Sequence, residues 1–248
     1  QAGTLLPIPT EAHILDGDGL PFLVRMVSHL ARKPRPAAES PNTTHNNPFL
    51  PYDRSLFVAD ASGTHVCLLN KFMVVDRHLL IVTREFEHQQ SPLTQNDFAA
   101  ISRCVGEYNG LGFYNSGKMA GASQPHKHLQ YIPLPIMDRM PHLPVDQVLG
   151  DVPIQGGTCA RLPFVHWVVR LDEQVFGEPE KAARSLSHTY RQMIRQLGLN
   201  VNQANNRIEQ DYNVLLTRRW MLLVPRAAEC FNHISLNSMA FAGTLLVH

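Results

Sequence analysis

The stretch Asn115–Gln130, NSGKMAGASQPHKHLQ, decides how this chain is read. Residues two apart on an extended strand face the same side. A strand over 126–135, HKHLQYIPLP, therefore projects His126, His128 and Gln130 together and turns Lys127 and Leu129 away. The preceding Gly121, Ala122, Ser123 and Gln124 are small or polar, so backbone N–H groups there can approach an anion closely. Ser116 and Ser123 add hydroxyls, Gln124 adds an amide, and Pro125 stiffens the entry to the strand.

Two imidazoles and an amide on one face admit three chemistries. The chain has thirteen histidines, and many such residues simply satisfy their hydrogen bonds in a core or at a surface. Histidines at i and i+2 can share a metal, but the third ligand would be Gln130, a poor donor for zinc. A neutral imidazole can also attack phosphorus once its other ring nitrogen donates to a fixed acceptor. Gln130 would then hold a phosphate oxygen without adding repulsive negative charge.

Working outward, LGFYNSG (111–117) reads as the strand that enters the small-residue loop. Ser91–Asn109 reads as a helix, with Thr94 as its cap, Asp97 three residues on, and Phe98, Ile101, Val105 and Tyr108 at helical spacing. THVCLLNKF (64–72) and HLLIVTREF (78–86) are β-rich, and VVDRH between them suits a tight antiparallel turn. PFLVRMVSHLARK (21–33) fits either a short amphipathic helix or a strand followed by a helix. Residues 34–47 read as a mobile loop.

Beyond the strand, 136–163 reads as a connector rich in proline and glycine, and FVHWVVRL (164–171) as a further strand. Residues 179–199 form a helix with Pro179 in its first turn and an apolar stripe of Leu186, Tyr190, Met193, Ile194 and Leu197. YNVLLTRRWMLLVPR (212–226) reads as a tight hairpin, and 233–247 closes the fold. LLNKF followed by LLIVTRE is faintly echoed by LLTRRW followed by MLLVPRA, the pattern of a degenerate internal duplication.

The 248 residues suffice for one large domain. A net charge of +1 provides no basic field for nucleic acid, so an anionic ligand must be held by local groups. No apolar run reaches the length of a membrane span, and no signal-peptide pattern opens the sequence. Cys67, Cys104, Cys159 and Cys230 are scattered, without metal or disulfide spacing, which fits a cytoplasmic protein.

The segment NSGKMAGASQPHKHLQ resembles the active-site segment of the diadenosine tetraphosphate phosphorylases (ATP adenylyltransferases), a branch of the histidine triad superfamily. NPFLPYDRSLFVAD (47–60), HVCLLNKFMVVDRHLLIVTREFE (65–87) and SLNSMAFAGTLLV (235–247) carry the same resemblance. Its H-x-H-x-Q form is the transferase form, shared with galactose-1-phosphate uridylyltransferases, whereas triad hydrolases usually show a third histidine. The resemblance implies an α+β fold: a histidine-triad-like antiparallel half-barrel sheet flanked by helices. It spans 1–248 as one domain, with 1–135 as a catalytic half and 164–248 completing the sheet and the nucleotide site.

The same resemblance implies roles. His128 is the nucleophile, His126 packs beside it with its backbone orienting the ring, and Gln130 contacts the α-phosphoryl group. Gly121, Ala122, Ser123 and Gln124 match the phosphate-binding segment, and Asn115 a polar residue near the nucleotide. Asn70 and Lys71 match a nucleotide-contacting pair, and Lys33 an N-terminal phosphate-binding lysine. Asn237, Ser238 and Met239, with Thr244 further along, match a C-terminal stretch that reaches the nucleotide. His248 stands where the family often has a lysine.

The implied reaction is phosphorolysis of a dinucleoside polyphosphate, diadenosine tetraphosphate, by inorganic phosphate to ATP and ADP through a covalent AMP-histidine intermediate on His128. It uses no covalent cofactor and no protein-bound metal, although a divalent cation such as magnesium can assist. A uridylyltransferase, a dinucleoside polyphosphate hydrolase and a non-catalytic dinucleotide sensor are the competing functions.

Overall fold

A computed structural model describes residues 4–17, 19–27, 47–150 and 152–247 of the chain. The mobile-loop expectation for 34–46 and the helix that could follow the first strand fall outside the described residues.

The first strands are β1 (Thr10–Gly17), β2 (Leu20–Val27), β3 (Phe57–Asp60), β4 (His65–Leu69) and β5 (Leu79–Thr83). Helix α1 (Gln95–Glu107) follows, then β6 (Gly110–Asn115), β7 (His128–Pro133), helix α2 (Asp146–Leu149), β8 (Trp167–Arg170) and helix α3 (Pro179–Gln196). The remainder is β9 (Val201–Asn202), β10 (Arg207–Ile208), β11 (Tyr212–Leu216), β12 (Trp220–Pro225), β13 (Cys230–Phe231), β14 (Ile234–Ser235), helix α4 (Ser238–Phe241) and β15 (Thr244–Val247).

Eight strands form one sheet in the order β3-β4-β5-β7-β6-β11-β12-β8, each antiparallel to its neighbours. This is the α+β architecture expected, with a large antiparallel sheet carrying helices. The two hairpins that echo each other in sequence, β4–β5 and β11–β12, lie in this one sheet on either side of the central β7–β6 pair. A smaller sheet holds β1, β2 and β15, with β15 parallel to β2.

Helix α1 starts where the sequence places its cap. The Thr94 side chain accepts from the Asp97 backbone, and the Asp97 carboxylate accepts from Thr94 N at 2.6 Å, closing a capping box. Helices α1 and α3 cover one sheet face through Phe98, Ile101, Leu186, Tyr190 and Met193, packed on Ile81, Leu129, Tyr131 and Leu223. The opposite face buries Phe113, Ile132, Leu215 and Leu222. Leu143, Val148 and Leu149 pack there too, so the 136–163 connector is part of the core.

Two local expectations change. PFLVRMV resolves to strand β2, because its backbone pairs with β1 on one side and β15 on the other. The β4–β5 connection is no tight turn but a longer loop between Asn70 and His78, which close its base through Asn70 N donating to the His78 carbonyl at 2.9 Å and Asn70 Nδ2 donating to His78 Nδ1 at 3.2 Å.

Candidate active site

Strand β7 sorts its side chains as the period of two requires. Leu129 enters the helix-covered core, while the Phe49 ring lies 5.6 Å from the His126 ring and 5.4 Å from the His128 ring. Phe49 belongs to a third apolar cluster with Leu56, Val66, Leu68 and Val82, which forms the floor beside the histidines.

The ring nitrogens of both histidines have settled roles. His128 Nδ1 lies 2.8 Å from the His126 carbonyl oxygen, so it carries the proton and donates. The lone pair is then on Nε2. Burial pushes the His128 imidazole down to about 4, which keeps that lone pair free at neutral pH. His126 is fully buried. Its Nε2 lies 2.9 Å from the Thr83 carbonyl and 2.9 Å from the Thr83 hydroxyl, so it donates there, and its Nδ1 accepts from Asn47 Nδ2 at 2.8 Å. Burial lowers its proton affinity as well.

Gln130 is oriented from the side. Asn70 Nδ2 donates to His78 Nδ1 at 3.2 Å, and His78 Nε2 donates to Gln130 Oε1 at 2.9 Å. Burial pushes His78 down to about 4, which suits a neutral ring accepting at one nitrogen and donating at the other. With its oxygen engaged, the Gln130 amide presents N–H donors, the polarity a phosphate oxygen accepts.

Behind the strand, Lys127 is fully buried. Its Nζ donates to Asp97 at 2.7 Å, Glu87 at 3.0 Å and the Pro92 carbonyl at 3.0 Å. Asp97 also meets His65 Nε2 at 3.0 Å. Burial alone would raise Asp97, but His65 and Lys127 outweigh it and hold the carboxyl at about 2. Lys127 is thus turned away from the site, as its strand position requires.

The loop after β6 borders a cavity of about 1210 Å³ lined by Gly121, Ala122, Ser123, Gln124 and Pro125 on one side and by Glu229, His233 and Asn237 on another. His88, Gln89, Gln90 and Lys118 also line it. Gly121 sits at φ +88°, and a Cβ there would come within 2.8 Å of Asn237 Cβ, so only glycine lets the loop pack on the C-terminal turn. Asp211 fastens the same loop, accepting from Met119 N at 2.8 Å and from Gln90 Nε2 at 2.8 Å.

The other residues singled out in the sequence occupy different levels of the site. Asn115, Ser238 and Thr244 are buried and do not line the cavity. Asn115 Oδ1 accepts from Ser238 Oγ at 2.7 Å and from Asn213 Nδ2 at 2.8 Å, tying α4 to β6 and β11. Asn237 caps α4, accepting from Met239 N at 2.9 Å, while Met239 packs on the second core. Asn70 acts through His78, and the Lys71 ammonium lies 5.8 Å from the Phe72 ring centroid. Lys33 lies outside the described residues. Among the described residues, no group of three or more His, Cys, Asp or Glu is placed to hold a metal ion, and no helix is long and apolar enough to cross a membrane.

Sequence reasoning missed Asn47, His78, Thr83, Gln89 and Asn213. Only His78 carried a hint, a histidine just before a buried strand that runs beside β7.

The model for the Ap4A phosphorylase N-terminal domain matches residues 1–151, and the model for the ATP adenylyltransferase C-terminal domain matches 160–248. Diadenosine 5',5'''-P1,P4-tetraphosphate phosphorylase 2 of Saccharomyces cerevisiae is 28% identical over 254 residues, covering 91% of this chain and 76% of the yeast protein. The crystal structure of yeast Ap4A phosphorylase Apa2 in complex with Ap4A superposes with a TM-score of 0.77 at 27% identity, covering 98% of this chain and 83% of that one. The same enzyme in complex with AMP superposes with a TM-score of 0.77 at 26% identity, covering 98% and 82%. With the N-terminal model alone matching more than half of its length, this chain belongs to the Ap4A phosphorylase family, whose members are nucleotidyltransferases.

Proposed function

We propose that the protein cleaves diadenosine tetraphosphate by phosphorolysis, giving ATP and ADP, through an AMP adduct on His128. The observation that carries this reading is the tautomer of His128: Nδ1–H is committed to the His126 carbonyl, and Nε2 is left neutral and unprotonated. Nε2 attacks the α-phosphorus, the N–P bond forms, and the bond to the departing ATP breaks. The positive charge that develops on the imidazole is stabilised by the His126 carbonyl. A phosphate oxygen then attacks the adduct, the N–P bond breaks, ADP leaves, and His128 returns to its neutral form.

In this reading Gln130 donates to an oxygen of the transferring group, and the 121–124 loop offers backbone N–H groups to the polyphosphate. Lys33 and Lys71 supply positive charge to it. Membership of the family and the yeast relative's complex with Ap4A support the choice of substrate. A divalent cation such as magnesium would supply further neutralisation of the polyphosphate charge. The reading includes a cytoplasmic setting, consistent with unpaired cysteines.

Ap4A labelled with ³²P at the α-phosphate tests the scheme. Without phosphate, the wild-type protein should trap an acid-labile label, and added phosphate should release it as ADP. A His128→Ala protein that turns over at the wild-type rate, or AMP in place of ADP among the products, overturns it.

A further inference from the structure

The eight-stranded sheet parts at one place. Strands β5 and β7 stay paired as far as Val82↔His128, and β6 and β11 as far as Asn115↔Asn213. Between β6 and β7, however, the ladder stops at Phe113↔Gln130. The same register would continue through Tyr114 opposite Leu129 to Asn115 opposite His128, and the two strands separate before it can.

The side chain of Gln89 fills the gap. Its Oε1 accepts from His128 N at 2.8 Å. Its Nε2 donates to the Asn115 carbonyl at 2.8 Å and to the His128 carbonyl at 3.1 Å. A primary amide has two N–H donors and a carbonyl acceptor, so this one side chain satisfies backbone groups on both strands. Gln89 is itself held: it is buried, its N–H donates to the Pro125 carbonyl at 2.8 Å, and its carbonyl accepts from the Tyr114 hydroxyl. On either side, His88 forms a bridge to His126 and Gln90 holds Asp211.

We propose that Gln89 is a positioning residue for the nucleophile, standing in for the missing ladder between β6 and β7 so that His128 is fixed while the strands stay apart. This rests on the reading of His128 as nucleophile. The His128 ring is tied to the main chain at the His126 carbonyl, so the backbone at 126–128 determines where Nε2 points. Direct pairing of Asn115 with His128 would fix that backbone equally well but would close the sheet where the loop must leave β6. A glutamate would turn an oxygen toward the Asn115 and His128 carbonyls where an N–H donor is needed. It would also put a negative charge beside His128 and favour its protonated form.

Two variants test this in the full chain. Gln89→Met keeps the length and removes the hydrogen bonds. We expect the first-order rate of AMP-adduct formation at saturating Ap4A to fall about 10- to 100-fold. A wild-type rate constant for Q89M overturns the proposal. A merely structural role would reduce the fraction of folded sites and leave the rate constant per site unchanged. Gln89→Glu provides a second reading if Q89M does not fold: the acid limb of its rate profile should move up by about one pH unit, and an unmoved limb overturns the proposal. Absence of an adduct on wild-type protein removes only the covalent scheme, and Gln89 is then judged by the kcat of phosphorolysis under the same two criteria. Absence of all turnover in the wild type overturns both.

Discussion

His78 Nε2 donates to Gln130 Oε1 across 2.9 Å, so a histidine from the β4–β5 connection decides which end of the Gln130 amide is left with free donors. His78→Phe should retain the packing against Phe113, whose ring centroid lies 5.9 Å away, and lose the donor. The amide can then turn its oxygen toward phosphate. Steady-state kinetics should show kcat lowered about tenfold, with the melting temperature little changed.

His128 ties stability to pH. Burial pushes its imidazole down to about 4 in the folded chain, from about 6.5 for an unperturbed histidine. Between those values the unfolded chain holds more protons, so stability is fully present above pH 6.5 and is lost as pH falls toward 4. One such group accounts for about 3 kcal/mol across the window. His78 shifts in the same direction and adds to the slope. Urea midpoints from pH 7 to 4.5 should fall steadily, and His128→Asn should flatten the fall. Above pH 4.5 Asp97 stays ionised, since it titrates at about 2. Activity should follow the same ring, with its acid limb below pH 5.

The buried cluster behind β7 should be intolerant of single changes. Lys127→Met leaves Asp97 without its lysine partner inside the protein, at a cost of about 3–5 kcal/mol. Adding Asp97→Asn removes the uncompensated charge and should restore part of that loss. Chemical denaturation of the two singles and the double variant measures the coupling.

Gly121→Ala forces a side chain into a left-handed backbone and against Asn237. The backbone term alone is about 1–2 kcal/mol. The loop should pull away from α4, and AMP affinity measured by calorimetry should fall while the His128 tautomer, followed by NMR, stays the same.

Much of the fold could be read directly because it is encoded locally. Thr94 and Asp97 announce α1, Pro179 opens α3, and the alternation in HKHLQ places three polar side chains on one face. The supporting residues are a different matter. Gln89, Asn47 and Thr83 reach the histidines from distant segments, and nothing in their own neighbourhoods shows a period or a cap aimed at that site. Asn115 shows the reverse problem. Its place beside the small-residue loop suggests contact with ligand, yet Asn213 and Ser238, far along the chain, occupy its Oδ1.

The pairing of β6 with β11 joins residues 110–115 to 212–216, across the boundary between the two family segments. A fragment ending near residue 151 would carry His128 but leave the β6 edge bare and Asn115 without Asn213. A single protease nick near exposed Ile154 should therefore leave two pieces that copurify and remain active. The same pieces made separately should recover function only when mixed.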